Sequence, residues 1–212
     1  MNSFTQKAVE STQVRSGAWG LDALAGRFVE LRGAAGAAAL TMAARVLVQA
    51  QQAGEPVVWV GNRSSLFFPP DFAAAGLDLA ALPVVRAADG RELARMADTL
   101  LRSGAFAVVV LDLDERMYLT TAMQARLAGL AKSHQCVLLG ITRKRSLQRP
   151  RWGDDGRAAS STLGSMVSLR GETSLQRADF DRFTCRLHII KDKLRGPGWH
   201  HTEVCRGPDG LC

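Results

Sequence analysis

Between a run that reads as a strand, Arg27 to Arg32, and an amphipathic stretch that reads as a helix, Ala38 to Ala53, stands the segment Gly33-Ala34-Ala35-Gly36-Ala37-Ala38-Ala39-Leu40-Thr41. Strand, glycine-opened loop and helix form the setting of a phosphate loop. In such a loop backbone N–H groups cradle phosphate, a lysine reaches the outer phosphates and a Ser/Thr hydroxyl holds magnesium. The spacing puts the lysine position at Ala39 and the hydroxyl position at Leu40. Hydrogen bonds to charged groups contribute about 1.5 to 3 kcal/mol each, and ~1.4 kcal/mol is tenfold in affinity. Losing both groups therefore removes roughly two to four decades of triphosphate binding. The loop keeps its place and lacks its chemistry.

Two further strand ends bear on the same site, because ligands of open α/β sheets sit at the C-terminal ends of the parallel strands. Val57-Val58-Trp59-Val60-Gly61 runs into Asn62-Arg63, so Arg63 stands where a nucleotide hydrolase presents a carboxylate to orient water. Ala107-Val108-Val109-Val110-Leu111 ends at Asp112, the pattern of a magnesium-binding acid on an apolar strand. That pattern has little specificity alone, since apolar strands often end in Asp at a turn.

A basic strip follows the strand that ends at Thr142. Arg143, Lys144, Arg145, Arg149, Arg151 and Arg157 supply six cations in fifteen positions, with Trp152 among them. Such a strip follows phosphates and stacks a base, so single-stranded DNA is a candidate partner. A solvated loop is the alternative. The aromatic segment Leu66-Phe67-Phe68-Pro69-Pro70-Asp71-Phe72 is a second surface candidate, through Phe67, Phe68 and Phe72. It either docks a partner or folds back onto the domain.

The elements that must position these residues alternate between two periods. Strands are expected at Arg27 to Arg32, Pro56 to Gly61, Leu82 to Arg86, Ala105 to Asp112 and Cys136 to Thr142. Helices are expected at Ala38 to Ala53, Gly90 to Ser103 and Tyr118 to Lys132, the last with an apolar stripe of Leu119, Met123, Leu127 and Leu130. This alternation predicts an α/β fold with a central, mostly parallel sheet flanked by helices. After residue 163 the pattern becomes strands joined by turns, at Ser165 to Arg170, Arg182 to Asp192 and Gly198 to Arg206, which predicts antiparallel hairpin strands at the sheet's C-terminal edge. Residues 1–13 read as an N-terminal arm, and 14–212 as a single core domain.

Composition bounds the rest. With 212 residues, 47% of them hydrophobic, the chain can bury one substantial core. A formal charge of +7 makes an acidic partner plausible without establishing one. No membrane span or secretory leader is legible, so a cytoplasmic location is expected. The cysteines, at 136, 185, 205 and 212, show no CxxC spacing and are expected to be reduced thiols. Cys185 with His188, and His200, His201 with Cys205, fall in expected strands, where side chains three apart face opposite ways. No metal site and no cofactor are expected.

Taken together these segments resemble the core of the RecA recombinases. Ser16-Gly17-Ala18-Trp19-Gly20-Leu21-Asp22 followed by Gly26-Arg27-Phe28-Val29-Glu30 is similar to that family's entry into its first core strand, and Gly33 to Gly54 corresponds without a gap. The resemblance places the phosphate-loop lysine at Ala39, the catalytic glutamate at Arg63, the metal-binding aspartate at Asp112 and the nucleotide-sensing glutamine at Arg143. It likens Ile190-Lys191-Asp192-Lys193 to the two-lysine segment that reaches a neighbouring subunit's ATP, although Lys191 and Lys193 are equally read as solvated strand-end lysines. The basic strip takes the position of the family's second DNA loop.

Departures are as informative as matches. The stretch after Asp112 is too short for the first DNA loop, the N-terminal polymerisation region is reduced, and no C-terminal domain is expected. Stripped RecA-like chains of this kind resemble the ImuA family of the bacterial DNA-damage response. That resemblance implies a non-catalytic monomer serving as an adaptor in error-prone translesion synthesis, with an ImuB-like polymerase homologue and an error-prone replicative polymerase as partners, together with RecA or single-stranded DNA. The alternatives are a SulA-type cell-division inhibitor and an active DNA-dependent ATPase. Ala39, Leu40, Arg63 and Arg143 weigh against the second, because each removes or inverts a group that phosphoryl transfer needs.

Overall fold

A computed structural model describes residues 19–33, 37–65, 67–114, 117–143, 163–179 and 182–206. Chain order gives α1 (Leu21–Leu24), β1 (Phe28–Gly33), α2 (Ala37–Gln52), β2 (Val57–Gly61), α3 (Pro69–Ala74), β3 (Val84–Arg86) and α4 (Gly90–Ser103). Then come β4 (Val108–Leu113), α5 (Thr121–Ser133), β5 (Val137–Arg143), β6 (Leu169–Arg177), β7 (Arg182–Asp192) and β8 (His200–Arg206). The strands form one sheet in the order β3-β2-β4-β5-β1-β6-β7-β8. Pairing is parallel from β3 through β6 and antiparallel from β6 to β8.

The central strands are apolar on both faces, as strands covered by helices on two sides must be. Alternation along each strand divides the core. Val29, Leu31, Trp59, Val110 and Leu139 pack under α2, while Phe28, Val58, Val60, Leu111 and Leu138 pack under α4 and α5. Local chemistry sets the helix ends. Asp89 caps α4 by accepting from Glu92 N, Glu92 reaches back to Ala88 N, and Gly104 closes the helix in the left-handed region at φ 65°.

Three expectations are corrected. The helix expected from Tyr118 starts at Thr121, because the Thr120 hydroxyl accepts from Met123 N and so fixes the N-terminus. The aromatic segment, outside the expected helices, contains α3, with Pro69 and Pro70 in its first turn, where a missing N–H costs nothing. The strand expected at Ser165 to Arg170 runs instead from Leu169 to Arg177. Its polar half, Glu172 to Arg177, looks like a loop by composition, but it pairs with β7 along its whole length, and pairing outweighs intrinsic preference. At Gly171 the ladder shifts register, and a Cβ there would stand 2.3 Å from Leu187 Cδ1, so a larger residue would force the buried Leu187 side chain to move.

No helix among the described residues is long and apolar enough to cross a membrane. Also among the described residues, no three His, Cys, Asp or Glu side chains are grouped so as to hold a metal ion. Cys185 and Cys205 approach to 3.3 Å between sulfurs on β7 and β8. Burial pushes the Cys185 thiol up to about 12, and its contact with Cys205 adds to this.

Candidate functional site

The phosphate-loop positions lie where β1 hands over to α2. Gly33 ends β1, in register with Arg143 on one side and Thr173 on the other. Residues 34–36 lie outside the described residues. Ala39, the lysine position, has 0% exposure and lies on the core-facing side of α2 with Met42 and Ala43. Leu40, the hydroxyl position, packs half-buried against the same core. Neither side chain has an atom that can bind phosphate.

A compact polar cluster occupies the ends of β2, β4 and β5. Asp112, at the end of β4 and 1% exposed, accepts from Ser65 Oγ at 2.5 Å. The same hydroxyl oxygen accepts from Trp59 Nε1 at 3.2 Å and from Phe67 N at 3.2 Å. Asn62 donates through Nδ2 to Asp114 Oδ2, and its Oδ1 accepts from Ser64 N at 2.8 Å. Arg143, leaving β5, donates to Ser64 O at 2.8 Å, and Arg86, leaving β3, donates to Asn62 O at 2.7 Å. The loop 62–65 is therefore drawn across the strand ends, and Gly61 permits the approach: a Cβ there would lie 3.0 Å from Ser65 Oγ and 3.3 Å from Asp112 Cβ.

The structure thus brings Asp112 and Arg143 to one loop, leaves Arg63 exposed on that loop, and places Ala39 on the buried face of α2. Sequence reasoning missed Ser65, Asn62 and Asp114. Asn62 had a readable signal, since an Asn side chain bonding its own backbone two residues on is a common turn former. Ser65 had none, because its role depends on Asp112, which lies 47 residues away.

A second missed group is Glu30, fully buried in the middle of β1. Its Oε1 accepts from Thr142 Oγ1 at 2.9 Å and from Leu163 N at 3.1 Å, and its Oε2 pairs with Arg170 Nε. Arg170 also donates to Leu163 O. Thr142 precedes the basic strip and Leu163 follows it, so one buried carboxylate holds both roots of that segment. A charge inside an apolar strand was the available signal, because a buried charge must be paired. Of the strip itself only Arg143 is described; Lys144, Arg145, Arg149, Arg151 and Trp152 lie outside the described residues.

The remaining candidates separate by burial. Phe72 is 2% exposed and Phe67 half-buried; they pack with Trp59 at centroid distances of 5.2 and 5.3 Å respectively, and with each other at 4.8 Å. Of the two alternatives for the aromatic segment, these two rings take the second and fold back onto the domain. Phe68 is 57% exposed. Lys191 donates to Ser165 O at 3.0 Å, while Lys193 is exposed in the turn after β7. Burial, with Lys193 and Arg170 nearby, holds Lys191 below the usual lysine range, opposed by Glu30.

Curated relatives of this chain are RecA proteins. It is 34% identical to RecA of Fusobacterium nucleatum over 88 residues, which are 41% of this chain and 23% of that protein. It is 35% identical to RecA of Kineococcus radiotolerans over 88 residues, 41% and 25% of the two chains. With RecA of Azospirillum lipoferum the identity is 31% over 115 residues, 50% and 32% of the two chains. No protein-family model matches the chain. The relationship is RecA-like, and the chain spans about a quarter to a third of the length of these relatives.

Proposed function

We propose that this protein is a non-hydrolysing RecA-like accessory protein of the bacterial DNA-damage response, an adaptor of the ImuA kind in error-prone translesion synthesis. The observation that carries the reading is the replacement of nucleotide chemistry by internal contacts. Ala39 is in the core, the Asp112 carboxylate is engaged by Ser65, and Arg143 is spent on a backbone carbonyl. A core that keeps its parallel sheet but has Ala39 and Leu40 at the lysine and hydroxyl positions is read as working by contact with other macromolecules. The partners proposed are an ImuB-like polymerase homologue and an error-prone replicative polymerase, with RecA or single-stranded DNA touching the strip from Arg143 to Arg157.

Phosphate release with magnesium, ATP and single-stranded DNA is expected to stay at background. Turnover abolished by Asp112→Asn would overturn the reading. Recovery of bound proteins from cells exposed to DNA damage is expected to yield translesion polymerases, and recovery of a tubulin-like division protein instead would favour the division-inhibitor alternative. For DNA contact by the strip, log affinity should fall with log salt at about −0.7 per phosphate neutralised. A flat salt response would remove DNA from the partners.

A further inference from the structure

We propose that the cleft between α4 and α5 docks an acidic, amphipathic helical segment of a partner protein. The inference stands on that cleft alone and does not depend on the nucleotide site being silent.

The cleft encloses about 350 Å³. Its floor is aliphatic, made by Ala94 from α4 and by Met123 and Leu127 from α5. Its walls are cationic, with Arg91, Arg95 and Arg102 along one face of α4 and Arg126 opposite on α5, against the single carboxylate of Asp98. Residues spaced by three, four and seven on a helix share a face, so this charge is aligned along the cleft.

The charges divide into two sets. Asp98 is taken by Arg102, at 3.1 Å, and by Arg126. Those two arginines, one on each helix, are thereby joined through a single carboxylate. Arg91 and Arg95 are exposed and make no side-chain ion pair or hydrogen bond among the described residues. An incoming carboxylate meets them without breaking a hydrogen-bonded pair and competes only with the nearby charge of Asp89.

Charge complementarity selects an acidic occupant, and the floor decides which kind. Aliphatic side chains offer no ring face for a base to stack on, so a nucleic acid would leave the floor unused. A helix that presents apolar residues at i, i+3, i+4 and i+7 fills such a floor, and its flanking acids reach the arginines.

The test uses the full chain and a fluorescein-labelled synthetic helical peptide with leucines on one face flanked by glutamates, read by fluorescence anisotropy. Binding is expected, with affinity lowered about tenfold or more by the double change Arg91→Glu and Arg95→Glu. Arg195→Glu, an exposed charge reversal in the turn after β7, should leave it unchanged. A peptide with lysines in place of the glutamates should prefer the doubly reversed variant. Unchanged circular dichroism checks that the variant is folded. The proposal is overturned if the peptide does not bind, or if it binds the doubly reversed variant as tightly as the original. It is overturned in favour of nucleic acid if the two changes abolish binding of an oligothymidylate and leave the peptide untouched.

Discussion

The Ser65 hydroxyl donates to Asp112 Oδ2 across 2.5 Å, and its oxygen accepts the indole N–H of Trp59 and the backbone N–H of Phe67. One small side chain thus ties the end of β4 to the core of β2 and to the loop that crosses the strand ends. In an enzyme of this architecture the acid on that strand faces a metal-bound phosphate. Here it faces a serine.

Ser65→Ala should therefore behave as a core change although the residue is only half-buried. It removes one hydrogen bond to a charged acceptor and leaves a buried indole N–H short of a partner, which together cost about 1 to 3 kcal/mol. Urea unfolding measures this directly. A midpoint equal to the parent's would show that the cluster contributes nothing to stability.

Placing phosphate-loop groups at positions 39 and 40 should not create a nucleotide site. Ala39 has 0% exposure among Met42, Ala43 and the strands beneath α2, so Ala39→Lys drives an ammonium into the core. The effective penalty for an unpaired buried ion is several kcal/mol. The double variant Ala39→Lys, Leu40→Thr is expected to melt well below the parent and to gain no magnesium-dependent ATP affinity. Tight binding of ATP with undiminished stability would mean that the pocket survives and only two side chains were lost.

The sheet was legible because its strands obey simple rules. Val57 to Gly61 and Val108 to Leu113 are apolar on both faces, as buried parallel strands are, and Asp89 with Glu92 announces the start of α4. What escaped was set by neighbours distant in the chain. Glu172 to Arg177 forms a strand because β7 lies beside it, and Ser65 matters because Asp112 lies 47 residues away. Phe67 and Phe72 follow the same logic. Their composition suits an exposed patch or a core equally, and only the position of Trp59 decides.

Phe72 and Phe68 should accordingly part company on truncation. Phe72, 2% exposed and edge-on to Trp59 at 5.2 Å, is expected to lose about 3 to 5 kcal/mol as alanine. Phe68, 57% exposed, is expected to change by no more than about 0.5 kcal/mol. If Phe68→Ala is neutral in unfolding but weakens recovery of a partner from damaged cells, the exposed ring belongs to an interface. If Phe72→Ala is equally mild, the aromatic cluster with Trp59 is not a packing unit.

The clasp between Arg27 and Asp192 should set part of the protein's acid stability. Asp192 Oδ1 accepts from Arg27 Nη2 at 2.6 Å, from Leu194 N at 2.9 Å and from Arg195 N at 3.2 Å, while Oδ2 accepts from Trp199 Nε1 at 3.0 Å. Burial pushes this carboxyl up, but the donors from Leu194, Arg27, Trp199 and Arg195 outweigh it and hold the group below its ordinary value of 3.8. A depressed folded pKa means that the unfolded chain takes up the proton first. The contribution is therefore complete above about pH 3.8 and is lost as pH falls through the lower folded value. Asp192→Asn leaves Arg27 buried without its counter-charge, which costs about 3 to 5 kcal/mol at neutral pH. Urea midpoints followed from neutral pH into acid should fall less steeply for this variant below about pH 4. Parallel curves for the two proteins would show that the carboxylate carries no linkage to folding.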